Sequence, residues 1–229
     1  MMKIDQGVFY TTIAKYYNHI FPLNEEQIEF VQSNVGSLAG KTILDVGCST
    51  GQLANRLAGL GAQVTGIDLN QEMIRMAQKD NREAGVKYME GDMLELDSHF
   101  EESSLDALIC FGNTLVHLDS IEEVARFLKT AFHLLKPGSK LMLQILNYDF
   151  ILDEEIEELP LIDGPQLSFL RKYDLPEQEG DKIIFNTELV IKKSRDSLFH
   201  ASRLLPLRKK NLHQLLEHYG FAHIRYYSA

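Results

Sequence analysis

The stretch KTILDVGCSTGQLANRLAGLGAQVTGIDLN, from Lys41 to Asn70, carries the pattern that decides the fold. It contains two short apolar runs, and each ends in an acidic residue, Asp45 in the first and Asp68 in the second. A glycine-bearing turn and one amphipathic helical stretch lie between the two runs. A strand, a helix and a second strand in this order predict a unit with two parallel strands.

The alternation of apolar runs with amphipathic stretches continues on the C-terminal side of this unit. The clearest helix begins at the capping box Ser120–Glu123 and is predicted to stop at Pro137-Gly138. We therefore expect an α/β fold with a doubly wound, mostly parallel sheet and helices on both faces. The apolar runs that predict its strands are Thr42–Val46, Gln63–Ile67, Lys87–Glu90, Ala107–Phe111 and Lys140–Leu146.

The whole chain, residues 1–229, is predicted to form a single domain with the alternating core at residues 40–149. The segments on either side of this core have different sequence patterns. Residues 1–39 are expected to form an N-terminal helical cap. In this cap Pro22 breaks a first helix, and Asn24 caps a second.

The C-terminal flank, residues 150–206, predicts an antiparallel β insertion after the fifth strand. It begins with an acidic connection, Asp153–Pro160, and continues with three stretches of partial period-two alternation. A turn is expected between two of these stretches at Glu179-Gly180-Asp181. Residues 207–229 are predicted to form a final helix and a last strand, Ala222–Tyr227.

The composition excludes some classes of partner. Lys and Arg total 23 against 33 Asp and Glu, so the net charge is −10 and we expect no nucleic-acid partner. The one compact basic cluster, Arg208–Lys210, is better interpreted as the polar first turn of a helix. No run is long enough to span a bilayer and no secretory signal is recognisable, so we expect a cytoplasmic protein with no membrane partner. Cys48 and Cys110 form no metal-ligand pattern, and no metal is expected.

The acidic residues beside the turn indicate the charge of the expected ligand. Ligands of doubly wound sheets bind beyond the carboxyl ends of the strands, where Asp45 and Asp68 both lie. Two charges 4 Å apart interact by roughly 4 kcal/mol at an intermediate dielectric, so Asp45 disfavours a dinucleotide pyrophosphate and favours a cation. S-adenosylmethionine has an ammonium and a sulfonium and fits this preference. Asp68 would then accept hydrogen bonds from both ribose hydroxyls, or would cap the helix near Gln71, a role for which Asn70 competes.

Several segments between residues 41 and 146 resemble, in the same order, those of class I S-adenosylmethionine-dependent methyltransferases. Besides the first turn they are EGDMLEL (90–96), LDALICFGNTLVHL (105–118) and LLKPGSKLMLQI (134–145). The resemblance implies a Rossmann-like sheet of the seven-stranded type, with Asp92 at the adenine amino group and Met93 on its ring. Ser49 stands where the family often has glycine, and its side chain is tolerated if the backbone there is not left-handed. The residues expected to bind the cofactor are Asp45, Gly47, Cys48, Gly51, Asp68, Leu69, Met73, Asp92, Met93, Phe111 and Gly112.

The methyl acceptor is expected to be a small molecule. FGNTLVHL (111–118) and NYD (147–149) resemble segments of glycine and sarcosine N-methyltransferases, but Leu146 stands where glycine N-methyltransferase has a carboxylate-binding arginine. Arg171 or Arg203 of the insertion could supply that charge instead. The candidates for catalysis are His117, Tyr17 and Tyr148, and those for acceptor binding are Asn113, Asn147, Tyr16, Arg171 and Arg203. The alternative for His117 is a histidine at a helix start that bonds to backbone.

Two other classes of function remain open at this point. One is a catalytically silent module that binds S-adenosylmethionine, and the other is a methyltransferase that acts on a macromolecule. The resemblance also implies a hairpin after the last helix, of which only one strand is recognisable here. The free edge of the sheet would then be exposed or covered, and a second copy of the chain is one candidate for covering it.

Overall fold

A computed structural model describes residues 6–80, 85–178 and 180–228. Its central sheet has five parallel strands in the order β3-β2-β1-β4-β5. Asp45 pairs with Gly66, and Asp68 pairs with Glu90, so the acidic ends of the first two strands lie at the same edge of the sheet. The strands are β1 (Thr42–Val46), β2 (Gln63–Asp68), β3 (Val86–Glu90), β4 (Leu105–Cys110) and β5 (Leu135–Leu143).

Helices cover both faces of this sheet, as predicted. Alternate residues of one strand point to opposite faces, so Ile43 packs with the helices of one layer and Leu44 with those of the other. The helices are α1 (Gln6–Ile13), α2 (Tyr17–Ile20), α3 (Glu25–Val35), α4 (Gln52–Gly59), α5 (Gln71–Asp80), α6 (Ile121–Leu134), α7 (Tyr148–Asp153) and α8 (Lys209–His218). Helices α3 and α4 pack on the Ile43 side, and α6 and α8 pack on the Leu44 side.

The N-terminal helical cap is confirmed for the described residues, and residues 1–5 of the predicted range lie outside them. The chain turns after α2 at Phe21 and Pro22, and the Asn24 side chain accepts a 2.9 Å hydrogen bond from the Glu26 N–H at the start of α3. Ile13 and Ile20 are buried in a third apolar cluster with Met73 of α5. The same cluster includes residues of the insertion, so the cap lies between the core and the insertion.

The antiparallel insertion is confirmed, but it has one strand more than predicted. It forms a four-stranded sheet in the order β6-β7-β8-β9, with β6 (Glu158–Asp163), β7 (Leu167–Asp174), β8 (Ile183–Ile191) and β9 (Asp196–Leu204). The first strand begins within the stretch predicted as an acidic connection, because pairing with β7 outweighs its polar composition. Of the predicted turn, Glu179 lies outside the described residues and Gly180 has φ 96°.

The last strand predicted at Ala222–Tyr227 is wrong: residues 221–228 contain no helix or strand. The aromatic side chains of this segment pack individually, with Phe221 against Phe132 and Tyr227 against Phe30, and no backbone ladder forms with β5. The central sheet therefore has five strands in the described chain rather than seven. No helix of residues 6–80, 85–178 and 180–228 is long and apolar enough to cross a membrane.

The boundary between α6 and β5 also differs from the prediction. The helix ends at Leu134 and the strand begins at Leu135, so Pro137-Gly138 lies within the strand rather than ahead of it. The strand register shifts between the pairs made by Leu105 and Ala107, which accommodates the proline. Arg208–Lys210 opens α8 as expected, with Arg208 bonded to Asp149 and Asp153.

Candidate functional site

A cleft of 2160 Å³ opens beyond the carboxyl ends of β1, β4 and β5. The cap and the insertion form its other walls, and it extends along β5 to the segment after α8. Ligand pockets are commonly about 300–1,000 Å³, so this cleft has room for more than one ligand. Among the predicted site residues, those that line it are Tyr17, Asp45, Gly47, Cys48, Phe111, Gly112, Asn113, His117, Asn147, Tyr148 and Arg171.

The turn after β1 depends on two glycines. Gly47 has φ 72° and Gly51 has φ 76°, both in the left-handed region. A Cβ atom on Gly47 would lie 2.4 Å from the Thr114 methyl carbon, and one on Gly51 would lie 2.6 Å from the Tyr88 ring. Each position therefore needs glycine for its conformation and for the space around it. This turn brings the backbone of the β1–α4 connection close to β2, where Gly47 and Cys48 both donate to the Ile67 carbonyl.

Ser49 departs from the expectation for this turn. Its φ is 48°, so the backbone is left-handed at a residue that carries a side chain. The Ser49 backbone N–H donates a 2.8 Å hydrogen bond to the Asp68 carboxylate. The Ser49 hydroxyl also interacts with the Tyr17 hydroxyl of the cap. These contacts hold the serine in a conformation that the isolated residue disfavours.

The Asp45 carboxylate is buried at the wall of the cleft. The side chain is 3% exposed, and none of the described residues donates a hydrogen bond to it. Burial, together with the negative charge of Asp68, raises the pKa of Asp45 from 3.8 to about 7. A ligand that brings a positive charge or N–H donors would relieve this unfavourable burial.

Asp68 differs from Asp45 because the backbone binds both of its oxygens. Oδ2 accepts from Ser49 N–H and Oδ1 accepts from Asn70 N–H, each at 2.8 Å. Burial still raises the pKa of Asp68, while these two hydrogen bonds lower it. The helix cap of α5 is Asn70, whose Oδ1 accepts from the N–H groups of Glu72 and Met73. Asp68 thus positions the turn and leaves the capping of α5 to Asn70.

The predicted adenosine-side residues do not line the cleft. Leu69 is 71% exposed, whereas Met73 is fully buried against the cap. Asp92 caps a short 3-10 helix, Met93–Ser98, by accepting a 2.8 Å bond from Leu94 N–H. The side chain of Met93 packs against the main core.

Phe111 and Gly112, directly after β4, border the cleft. The Gly112 N–H donates to Gln144 Oε1 at 3.3 Å, and this oxygen also accepts a 2.7 Å bond from Gln27. The glutamine pair joins α3 of the cap to the end of β5. Neither glutamine was predicted, because residues 117 positions apart give no local signal of contact.

His117 lies at the end of a 3-10 helix, Thr114–His117, deep in the cleft. Its Nε2 is 3.1 Å from the Tyr10 hydroxyl, and its buried Nδ1 has no hydrogen-bond partner among the described residues. Burial, with a smaller contribution from His200, lowers the pKa of His117 to about 4. His117 is therefore neutral at physiological pH, and its Nδ1 bonds to no group of the described chain. The alternative of a histidine bonded to backbone is wrong.

Tyr10 was not predicted, although it precedes Tyr17 by seven residues, a spacing that would place both on one face of a continuous helix. Both tyrosines line the cleft from the cap side. Burial raises the pKa of Tyr17 to about 12 and that of Tyr10 further, so both hydroxyls are protonated. Tyr16 points elsewhere: the Lys15 ammonium lies 4.8 Å from its ring centre, and it does not line the cleft.

Tyr148 and Asn113 form a structural pair at the wall of the cleft. The Asn113 amide donates a 3.0 Å hydrogen bond to the Tyr148 hydroxyl, and its oxygen accepts a 3.1 Å bond from Leu146 N–H. Burial raises the pKa of Tyr148 well above its usual range. Asn147 caps α7 by accepting a 3.1 Å bond from Phe150 N–H, so its oxygen is already engaged. The hydrogen bonds of Asn113 with Tyr148 and Leu146 join the loop after β4 to the loop after β5.

The structure separates the two arginines of the insertion. Arg171 of β7 is half-buried and lines the cleft, whereas Arg203 of β9 is exposed and does not. Arg203 lies between Ser202 and Leu204, which are both buried, so alternation along β9 directs it away from the cleft. The prediction of Arg203 as an acceptor residue is wrong for this reason.

No group of three or more metal-ligating side chains occurs among the described residues. Cys48 and Cys110 are both buried and free of disulfides. Burial raises the pKa of each thiol, so neither is activated as a nucleophile.

Comparison with known proteins agrees with this geometry. Residues 43–138 match the sequence family described as a methyltransferase domain. The ubiquinone biosynthesis O-methyltransferase of Xanthomonas euvesicatoria pv. vesicatoria (strain 85-10) is 35% identical over 127 residues, which are 55% of this chain and 51% of that protein. The chain thus spans about half the length of the curated relatives it matches.

Solved structures extend the similarity to most of the chain. The CcbJ methyltransferase from Streptomyces caelestis superposes with a TM-score of 0.74 at 19% identity, over 91% of this chain and 84% of that one. An S-adenosylmethionine-dependent methyltransferase from Clostridium acetobutylicum ATCC 824 gives a TM-score of 0.71 at 18% identity, over 92% and 87%. At such identities the likeness shows a shared fold, which includes the region of the insertion.

Proposed function

We propose that this chain, whose residues 43–138 form a methyltransferase domain of the S-adenosylmethionine-dependent class I fold, methylates nitrogen or oxygen of a small molecule. The similarity to a protein named an O-methyltransferase supports oxygen as one acceptor atom. When bound, S-adenosylmethionine supplies an electrophilic methyl group on a sulfonium.

The observation that carries this proposal is the Asp45 carboxylate. It is buried at the cleft without a donor from the described residues, and its ionised form is therefore disfavoured until a cation or N–H donors approach. The ammonium of S-adenosylmethionine would provide both. A phosphate at the same place would be repelled. The residues present thus fit this cofactor better than a dinucleotide.

The turn and the loop after β4 would hold the methionine end of the cofactor. Gly47, Cys48 and Gly51 keep the turn close to the sheet, while Phe111 and Gly112 form the opposite wall. Leu69, Asp92 and Met93 would form the adenosine side with Asp68. Met73 would support that side from the core beneath the cap.

The acceptor would lie between the cap and the insertion. His117 is neutral and lines this part of the cleft, so its imidazole is placed to take a proton from an amine or a hydroxyl, although its lowered pKa makes it a weak base. Tyr17 and Tyr148 keep their protons, and we assign them orientation of the reactants rather than proton removal. Asn113 holds Tyr148 in place. Holding donor and acceptor together in a cleft without water supplies much of the rate enhancement.

Two measurements test the proposal. Calorimetric titration with S-adenosylhomocysteine should show binding, and titration with NAD⁺ should show none. Incubation with labelled S-adenosylmethionine and a panel of amino acids, amines and phenols should transfer label to one class. Binding of NAD⁺ without S-adenosylhomocysteine would refute the assignment of the cofactor. Cofactor binding without transfer to any class would instead indicate a silent binding module or a macromolecular acceptor.

A further inference from the structure

The inner face of the insertion sheet carries one charged side chain among apolar ones. Along β7, alternate residues Leu167, Phe169, Arg171 and Tyr173 point toward the cap and the core. Leu167 and Phe169 belong to the apolar cluster of the cap, and Tyr173 belongs to the main core. Arg171 lies between these clusters, where an apolar residue would continue the pattern.

Cross-strand neighbours of Arg171 extend this polar position into a row. The register places Arg171 opposite Thr187 of β8, and Thr187 opposite His200 of β9. Thr187 is buried, and His200 stacks on Phe9 with ring centres 4.5 Å apart. His200 is also close enough to His117 to lower its pKa. The row of Arg171, Thr187 and His200 thus crosses the insertion sheet toward His117.

The Arg171 guanidinium has no counter-charge in the described chain. Its Nη2 donates a 2.7 Å hydrogen bond to the Pro160 carbonyl, and its buried Nε has no partner among the described residues. No described carboxylate lies within 4.0 Å of it, and burial lowers its pKa. The buried Nε N–H therefore lacks an acceptor, at a cost to the fold.

Tyr173 adds a second unused donor on the same face. It is 3% exposed, and its hydroxyl has no hydrogen-bond partner among the described residues. It follows Arg171 by two residues on one strand, so their Cα atoms are separated by about 7 Å. Both side chains line the cleft, as does His117. Arg171, Tyr173 and His117 each carry a buried polar atom without a partner in the described chain, and all three therefore line one cleft.

We propose that the methyl acceptor is a small carboxylic acid and that Arg171 and Tyr173 bind its carboxylate. This inference rests on the proposed function. The guanidinium Nε and the phenol hydroxyl are donors without acceptors in the described chain, and a carboxylate would supply acceptors to this pair of side chains and balance the charge of Arg171. A dianionic phosphate is disfavoured because His117 is neutral here and Asp45 borders the same cleft. The other cationic side chains of the cleft belong to β5, α8 and the residues after it.

Matched acceptor pairs test the charge requirement. Turnover is measured with 4-hydroxybenzoate against 4-hydroxybenzamide, and with glycine against glycinamide, so that each pair differs in the carboxylate. We expect transfer to at least one acid and a KM for it that rises about 10- to 100-fold in Arg171→Gln and less in Tyr173→Phe. Arg203→Gln, on the outer face of the same insertion sheet, should behave as wild type. Equal turnover of an acid and its amide would overturn the proposal.

Binding and stability provide readouts that do not depend on turnover. An acid of the panel should raise the Tm of the protein loaded with S-adenosylhomocysteine, and it should not do so in Arg171→Gln. Without ligands, Arg171→Met should unfold at the same or a higher temperature, since it removes a buried charge and keeps the apolar stem. A lower Tm for Arg171→Met, or no response to any acid, would refute the assignment. Failure to bind S-adenosylhomocysteine in the wild type would instead refute the proposed function.

Discussion

The Asp68 carboxylate accepts a 2.8 Å hydrogen bond from the backbone N–H of Ser49, and this bond joins the end of β2 to the turn after β1. The other oxygen of Asp68 accepts from Asn70 N–H. One side chain thus satisfies two backbone donors at the edge where the cofactor is proposed to bind. The consequences of this arrangement can be measured.

Asp68→Ala should destabilise the protein by about 2 kcal/mol, because two partly buried N–H groups lose their acceptor. Asp68→Asn retains one acceptor oxygen and should show a smaller loss. Chemical denaturation, followed by circular dichroism, measures both. Asp196→Ala, at an exposed position on β9, is the control and should change stability little. Equal stability of Asp68→Ala and the wild type would mean that water replaces the carboxylate at no cost.

Asp45→Asn should stabilise the ligand-free protein above pH 7. The folded-state pKa of about 7 exceeds the ordinary 3.8, so ionisation is costly in the native state only. The resulting loss of folding stability in the wild type is absent below pH 3.8 and grows between pH 3.8 and 7. It reaches at most about 4 kcal/mol. The stability of the variant relative to wild type, measured in denaturant at pH 4 and pH 8, should therefore differ. A constant difference across this range would contradict the assigned titration.

The affinity for the cofactor should depend on pH through the ionisation of the Asp45 carboxylate. An ammonium binds the ionised carboxylate, so the Kd for S-adenosylhomocysteine should rise by up to about tenfold per pH unit below 7. Calorimetric titrations at pH 6, 7 and 8 measure this trend. Asp45→Asn should bind more weakly at pH 8 and should lose most of the dependence. A similar pH dependence in the variant would assign the titration to another group.

Gly51→Ala should destabilise the protein by about 2 kcal/mol or more, since the new Cβ meets the Tyr88 ring and the backbone has a positive φ. Gly59 offers a matched control at the other end of α4. A Cβ atom at Gly59 would meet no atom within 4 Å, and its φ is not positive, so Gly59→Ala should be neutral or stabilising by up to about 1 kcal/mol. Thermal unfolding of both variants provides the comparison. Similar effects of the two substitutions would contradict the packing argument.

His117→Gln should reduce the sensitivity of the fold to acid. The folded-state pKa of about 4 lies below the ordinary 6.5, so the native state excludes a proton that the unfolded chain binds. The lowered pKa of His117 therefore contributes about 3 kcal/mol to the free energy of unfolding above pH 6.5. This contribution is lost as the pH falls to 4. Stability between pH 7 and 4.5 should fall less in the variant than in wild type. The exposed His133→Gln is the control and should retain the wild-type slope.

Local patterns were sufficient for the core of the fold. The predicted run Thr42–Val46 is β1 without change, and the predicted cap at Asn24 has the expected hydrogen bond. Such features depend on neighbours within a few residues, where side-chain alternation and capping chemistry are visible in the chain. The last strand failed because a strand exists only through its partner, and residues 221–228 pack by their aromatic side chains instead.

The site was predictable where it follows the strands and unpredictable where it depends on contacts across the chain. Asp45 and Gly47 were recognised because they end an apolar run. The pairing of His117 with Tyr10 joins residues 107 positions apart. Arg171 Nε has no hydrogen-bond partner in the described chain, and this depends on how the insertion packs. Neither property leaves a periodic signal.

The parallel βαβ core, the carboxylates at the strand ends and the charge of the ligand that they favour could be predicted from the chain alone, because these follow from short-range periodicity and from residue chemistry. The orientation of Arg171 toward the cleft and of Arg203 away from it, and the neutral state of the partly buried His117, depend instead on long-range packing. Burial and orientation arise from the packing of the cap and the insertion against the core, and this packing sets the local dielectric and the available partners.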